Sequence, residues 1–327
     1  MLKGTVSVVI LCLMFASQPG LGADNPQCDR ACLREMMEDY LQAVAENDPE
    51  SVPLMIGFRQ TDNAIATRPG TGVWRSVTAV GTVQRYYLDP VNSQAAFFGT
   101  VEEGAQAVVV TVRIKVQDGE LSEAEWYIGR PNDPGMLGPP TEDGTVRPGP
   151  FNVDYFIANP PPAEAIVPLQ DRLSRASLEG LANSYFDALS NHNGSLAYVH
   201  PDCSRIENGQ LITGRALPEG STDGFEGKSN CVTNFQLDGP LSIAAVTARR
   251  YPVIDEEQQV IMGDVVFRRL PNAVHRRLAL SELFYLDNKL ITSIYAAMFY
   301  ADPNIPLPNW APFDGNFPLP ESFGITK

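Results

Sequence analysis

Histidine is scarce in this chain: three in 327 residues, His192, His200 and His275, all in the second half. No G-x-S-x-G, H-E-x-x-H or P-loop motif occurs, and no dinucleotide fingerprint follows a strand-like run, so cofactor-dependent redox and phosphoryl transfer lack their sequence markers. No cofactor is expected. Positive charge is also short, with Lys+Arg 24 against Asp+Glu 39 and a net charge of -15. A nucleic-acid partner needs a concentrated basic patch, the sequence concentrates none, and no nucleic acid is expected. Nor is there an apolar run of the ~20 residues that a membrane span requires.

What is present is globular. Hydrophobic residues make up 44% and charged residues 19%, and the length suits two domains of roughly 150 residues each. Residues 1–23 hold Lys3, the apolar stretch Val6 to Ala16 and the small-residue segment Gly20-Leu21-Gly22-Ala23. This reads as a secretory signal peptide cut near Ala23, implying a secreted or periplasmic protein with no membrane association after cleavage. Cys12 would leave with the signal, and Cys28, Cys32, Cys203 and Cys231 would remain in an oxidising compartment. Of the three pairings, the sequence-local one is favoured, Cys28 with Cys32 and Cys203 with Cys231. The spacing of Cys28 and Cys32 is not that of a C-x-x-C redox motif. Asn193-Gly194-Ser195 fits a glycosylation acceptor.

The most informative feature is a repeat. Leu33, Met36, Met37, Tyr40, Leu41 and Val44 form one apolar helical face at offsets 0, 3, 4, 7, 8 and 11, and Leu178, Leu181, Ala182, Tyr185, Phe186 and Leu189 repeat those offsets 145 residues later. The same shift carries Asp62-Asn63 onto Glu207-Asn208. After each helix come strand-like runs: Gln94 to Val101, Ala107 to Val116 and Glu120 to Ile128, then Leu241 to Tyr251, Val260 to Leu270, Arg276 to Leu286 and Leu290 to Tyr300. Each half is therefore expected to be α+β, one helix covering an antiparallel meander. Between the halves, residues 131–162 contain nine Pro and four Gly, a linker that continues neither helix nor central strand. The tail 302–327, with Trp310, Phe313, Phe317 and Phe323 among six Pro, reads as a strap over the body.

A leading helix followed by a curved antiparallel sheet resembles the cone-shaped fold of the SnoaL-like and nuclear-transport-factor-2-like superfamily. His200-Pro-Asp-Cys203-Ser-Arg205-Ile-Glu207-Asn208-Gly209, with Asn183-Ser-Tyr185-Phe-Asp187 before it and Ala248-Arg-Arg250-Tyr-Pro-Val-Ile-Asp255 after it, is similar to a secreted, mainly fungal family labelled domain of unknown function 8021. The first half shares Cys28-Asp-Arg-Ala-Cys32-Leu and Gly70-Thr-Gly72-Val-Trp74. The resemblance implies two tandem cone domains, 24–130 and 163–301, and no particular reaction.

In such a fold helix and sheet enclose a pocket, so polar groups sharing a face with apolar ones are the candidates. Alternation puts Glu282 beside Leu278, Leu280 and Phe284, Asp264 beside Met262 and Val266, and Arg249 beside Leu241, Ile243 and Ala245. Glu282 is the first candidate for general acid or base and Asp264 the second; Tyr185 could donate to a developing oxyanion and Arg249 could hold a substrate carboxylate. Against this stands a buried structural Glu282–Arg249 pair. Glu207, Asn208 and His200 are further binding candidates, although Glu207-Asn208, repeated as Asp62-Asn63, has a plain architectural reading as backbone partners after the helix. His200-Pro201-Asp202 reads as a turn and supplies too few ligands for a metal. By contrast Val108, Val110, Val112, Ile114 and Val116 form an unbroken apolar face in the first half, so chemistry is expected in the second. The partner expected is a small organic molecule, with homodimer formation left open. The competing function is a non-catalytic secreted binding module whose two domains pair face to face.

Overall fold

The computed structural model describes Met1 and residues 28–137, 147–214, 229–236, 238–271, 273–301 and 310. Apart from Met1, the segment expected to be a signal peptide and, apart from Trp310, the tail expected to form a strap lie outside the described residues. Helix α1 (Arg30–Glu46) starts at Asp29, whose side chain accepts from the Cys32 amide at 3.0 Å, and ends at Asn47 in the left-handed region. Strands β1 (Leu54–Asp62) and β2 (Ile65–Thr67), helix α2 (Val73–Ser76), and strands β3 (Ala79–Asp89), β4 (Gln94–Glu103), β5 (Gln106–Gln117) and β6 (Glu120–Gly129) complete the first domain. After α3 (Val153–Ala158) the pattern repeats with α4 (Arg175–Ser190), β7 (Val199–Glu207), β8 (Gln210–Thr213), α5 (Asp238–Leu241), β9 (Ile243–Asp255), β10 (Val260–Arg269), β11 (Arg277–Asp287) and β12 (Leu290–Ala301).

The two sheets have matching orders, β2-β1-β6-β5-β4-β3 and β8-β7-β12-β11-β10-β9. This is an α+β fold of two tandem domains, each a six-stranded sheet with a helix packed on one face. The sheets are mixed rather than antiparallel throughout, because β1 runs parallel to β6 and β7 parallel to β12. Those return strands go unread in the sequence: Gly57, at φ 89°, interrupts β1, and Pro201 lies inside β7, where a turn was expected. Cys28 is bonded to Cys32, and Cys203 to Cys231.

Each sheet buries both faces. One face of the first sheet, with Val110, Val112 and Trp126, packs on α1; one face of the second, with Leu280, Phe284 and Met298, packs on α4. The other two faces pack on each other through Phe98, Val109 and Tyr127 against Met262, Val266, Leu283, Tyr285 and Phe299. This contact is reciprocal. Arg30, opening α1, binds Asp255 at the end of β9 at 2.7 and 2.9 Å, and Arg175, opening α4, binds Asp89 at the end of β3 at 2.5 and 3.0 Å. The same two carboxylates accept from backbone amides across the contact, Leu88 to Asp255 at 2.9 Å and Ile254 to Asp89 at 3.0 Å. Such exchange of equivalent groups is how a two-fold dimer interface is built, here within one chain.

The described residues of the linker, 131–137 and 147–162, pack on the body despite their prolines. Asn152 caps α3, whose Phe156 is buried against Phe98 and Tyr295, and Gly135 donates to the Arg147 carbonyl at 2.7 Å. Trp310 of the tail is buried, its indole donating to Thr61 at 3.2 Å beneath Arg59 and Arg113, whose guanidinium carbons lie 3.8 and 4.7 Å from the ring centroid.

Candidate functional site

The 145-residue repeat brings the same helical tyrosine to each interior, with different neighbours. In the first domain the Tyr40 hydroxyl donates to Gln60 at 2.9 Å and accepts from the Trp126 indole at 3.0 Å, and the Trp74 indole donates to the same Gln60 oxygen at 2.8 Å. Two indoles and an amide close that interior. In the second domain the residue equivalent to Gln60 is Arg205, which donates to the Tyr185 hydroxyl at 2.8 Å and forms an ion pair with Glu207 at 3.0 Å. Strand pairing gives the other equivalences. Trp126 faces Asp62 and Val112, whereas Ala296 faces Glu207 and Glu282. Alanine thus stands in place of an indole, and a glutamate in place of a valine.

The second interior is correspondingly hollow. A cavity of about 510 Å³ is lined by Tyr185, Arg205, Glu207 and Glu282 at its polar side and by apolar residues including Ile243, Phe267, Leu278, Leu280 and Met298. The linker contributes part of the wall through Met136, Leu137, Pro148 and Pro150. Glu282 is 2% exposed, and its Oε2 has no hydrogen-bond partner. Burial in apolar surroundings pushes its carboxyl up to about 8; Arg205 pulls the other way, and Glu207 adds to the rise. Burial disfavours the charge of Arg205, yet Tyr185 and Glu207 beside it hold the guanidinium protonated. Burial also raises the Tyr185 hydroxyl, leaving it a neutral donor. The arrangement offers an uncharged acid, a phenol and a fixed cation facing an apolar hollow.

Asp264 does not join them. Its face, shared with Met262 and Val266 as the alternation implies, is the one against the first domain. There Arg250 donates to Asp264 at 3.0 Å and to Glu125 of the first sheet at 2.8 Å, and Arg113 donates to Glu125 at 3.1 Å, all four side chains buried. Burial raises Asp264, while Arg250 and Arg113 hold Glu125 low. Arg249 is likewise absent from the cavity wall. It bonds Asp187 at 2.7 Å and Asn183 at 3.1 Å on α4, which also removes the expected Glu282–Arg249 pair. A bulge sets its position: β9 shifts register against β10, and Ala248 has φ 52°.

Asn208 follows the architectural reading. Its amide donates to the Met298 carbonyl at 3.0 Å and accepts the Met298 amide at 2.9 Å, just as Asn63 bonds both backbone groups of Ile128 at 2.9 and 2.8 Å. His200 is half-exposed at the start of β7, accepts from the Asp202 amide at 3.1 Å and does not line the cavity. Among the described residues no group of three or more His, Cys, Asp or Glu could hold a metal ion, and no helix is long and apolar enough to cross a membrane. A second hollow of about 550 Å³, between the first domain and Tyr300, contains Asp62, but that carboxylate already accepts from the Val73 amide at 3.0 Å.

Residue-level geometry and the family comparison meet in the second domain. Residues 171–298 match the family described as a domain of unknown function, DUF8021. The match spans α4 and nearly the whole second sheet, including Tyr185, Arg205 and Glu282. No curated protein matches the chain. Arg205 is a cavity residue to which the sequence analysis gave no role, and the signal was available: the shift that pairs Tyr40 with Tyr185 also pairs Gln60 with Arg205.

Proposed function

We propose that this is an exported small-molecule-binding protein of the SnoaL-like, cone-fold type, whose second domain moves a proton within its ligand as a cofactor-free isomerase, dehydratase or lyase. The export reading rests on the apolar N-terminal segment and agrees with two disulfides. The cone-fold reading rests on the sequence resemblance and agrees with a leading helix packed on each sheet.

One observation carries the catalytic reading: a carboxyl with an unpartnered oxygen, buried in an apolar cavity and titrating near 8. At neutral pH such a group is mostly protonated, can donate to a leaving oxygen, and can take a proton back from carbon at little cost in driving force. Tyr185 and Arg205 stand where negative charge on a carbonyl oxygen would be stabilised. The rival view, a non-catalytic module of paired domains, has support in the first domain, where Trp74 and Trp126 occupy the interior. We assign that domain a scaffolding role.

The test incubates the purified protein with small-molecule extracts of the native growth medium and compares wild type with Glu282→Gln by mass spectrometry. Conversion by wild type, through isomerisation or loss of water, with binding but no conversion by the variant, supports the proposal. Identical product profiles remove Glu282 from any reaction.

A further inference from the structure

We propose that Asn234 is a specificity-determining residue of the second-domain cavity, selecting a largely apolar ligand that carries a hydroxyl group as well as a carbonyl. The inference rests on the reading of this cavity as a ligand site and specifies which polar groups the ligand presents.

The second disulfide brings Asn234 to the wall. Cys203 on β7 is bonded to Cys231, and the turn that follows is fixed at several points. Arg205 donates to the Cys231 carbonyl at 3.4 Å, the Asn230 side chain accepts from the Val232 amide at 3.1 Å, and the Thr233 hydroxyl donates to the Asn230 carbonyl at 3.0 Å. Phe235 is buried with its ring 5.4 Å from that of Tyr185. Asn234 stands between Thr233 and Phe235, so these anchors hold it beside Tyr185 and Arg205. It lines the cavity, and its Oδ1 is buried without a hydrogen-bond partner. A buried acceptor left in that state costs about 1–3 kcal/mol, which a donor on a ligand would recover.

The hydrogen-bonding groups of the wall are of two complementary kinds. Tyr185 accepts from Arg205, which leaves its own hydroxyl hydrogen for another acceptor, and Glu282, mostly protonated at neutral pH, carries a second acidic hydrogen. Both suit a carbonyl oxygen. The Asn234 Oδ1 can only accept, so a ligand whose oxygens are all acceptors leaves it stranded, whereas a hydroxyl supplies the missing donor. The walls at Phe267, Leu278, Leu280 and Met298 suit a hydrocarbon body, and about 510 Å³ lies within the range of cavities that enclose drug-sized molecules.

The test titrates the disulfide-bonded protein with 2-decanone, 3-hydroxy-2-decanone and 4-hydroxy-2-decanone by calorimetry. The better of the two hydroxyketones is expected to bind about tenfold more tightly than the ketone. Asn234→Leu should abolish that advantage while leaving affinity for the plain ketone within about twofold, a split that a purely structural role for Asn234 would not produce. If neither hydroxyketone binds wild type more tightly than the ketone, a comparison that needs no variant to fold, the assignment is overturned while the cavity stays a ligand site. An advantage that survives in Asn234→Leu overturns it equally. Binding of none of the three compounds overturns both the assignment and the ligand site.

Discussion

Replacing Glu282 by Gln removes a buried titration and should change how stability depends on pH. The carboxyl moves from an ordinary 4.5 when unfolded to about 8 when folded, so between those values the native state holds a proton that the unfolded chain releases. Stability from this group is therefore highest at low pH and declines as pH rises from 4.5 to about 8. Each pH unit is worth ~1.4 kcal/mol, so by pH 7 the wild type should have lost about 3 kcal/mol that a neutral amide never loses. Asp264, also raised by burial, adds a loss of the same sign, but it is common to both proteins and cancels in their difference. Chemical unfolding of both proteins, with disulfides intact, at half-unit steps from pH 4.5 to 8.5 measures this. The two should be close in stability at the acid end, and the variant should pull ahead steadily toward neutrality. A difference that stays flat across the range would show that Glu282 titrates normally, and the argument for a poised acid would fail.

Three other perturbations address the scaffold. Arg250→Met leaves Asp264 without its cation between the sheets and Glu125 with Arg113 alone and should cost ~3–5 kcal/mol in chemical unfolding; a loss below ~1 kcal/mol means that the cluster is hydrated or rearranges. Asp89→Asn and Asp255→Asn remove equivalent members of the reciprocal contact and should each lower stability by ~1–3 kcal/mol; tenfold disparity in the resulting equilibrium constants would contradict their equivalence. Replacing Cys203 and Cys231 together by Ser opens a bridge spanning 28 residues and should cost ~3 kcal/mol, while the same change at Cys28 and Cys32 should cost less because the loop is shorter.

Much of this was legible in the sequence, for identifiable reasons. The helices were readable because their apolar faces are single and their 145-residue offset is unbroken through Asp62-Asn63 and Glu207-Asn208. Glu282 was readable because β11 alternates without interruption from Leu278 to Phe284. Asp264 was misplaced for the complementary reason. A strand buried on both sides gives two apolar faces, and alternation cannot say which meets α4 and which meets the other domain. Arg249 was misplaced because counting by twos fails across a bulge. The hollow itself follows from comparing the copies: Val112 against Glu282 and Trp126 against Ala296 become equivalent only once strand pairing is known.

The central claim is that two copies of one architecture have different interiors, the first packed and the second open around Glu282. Methionine methyl NMR reads both at once, since Met37 lies in the first core while Met298 and Met136 line the second-domain cavity. Titration with indole should shift or broaden the Met298 and Met136 signals and leave Met37 unmoved. An unmoved Met298, or equal movement of Met37, would contradict the claim.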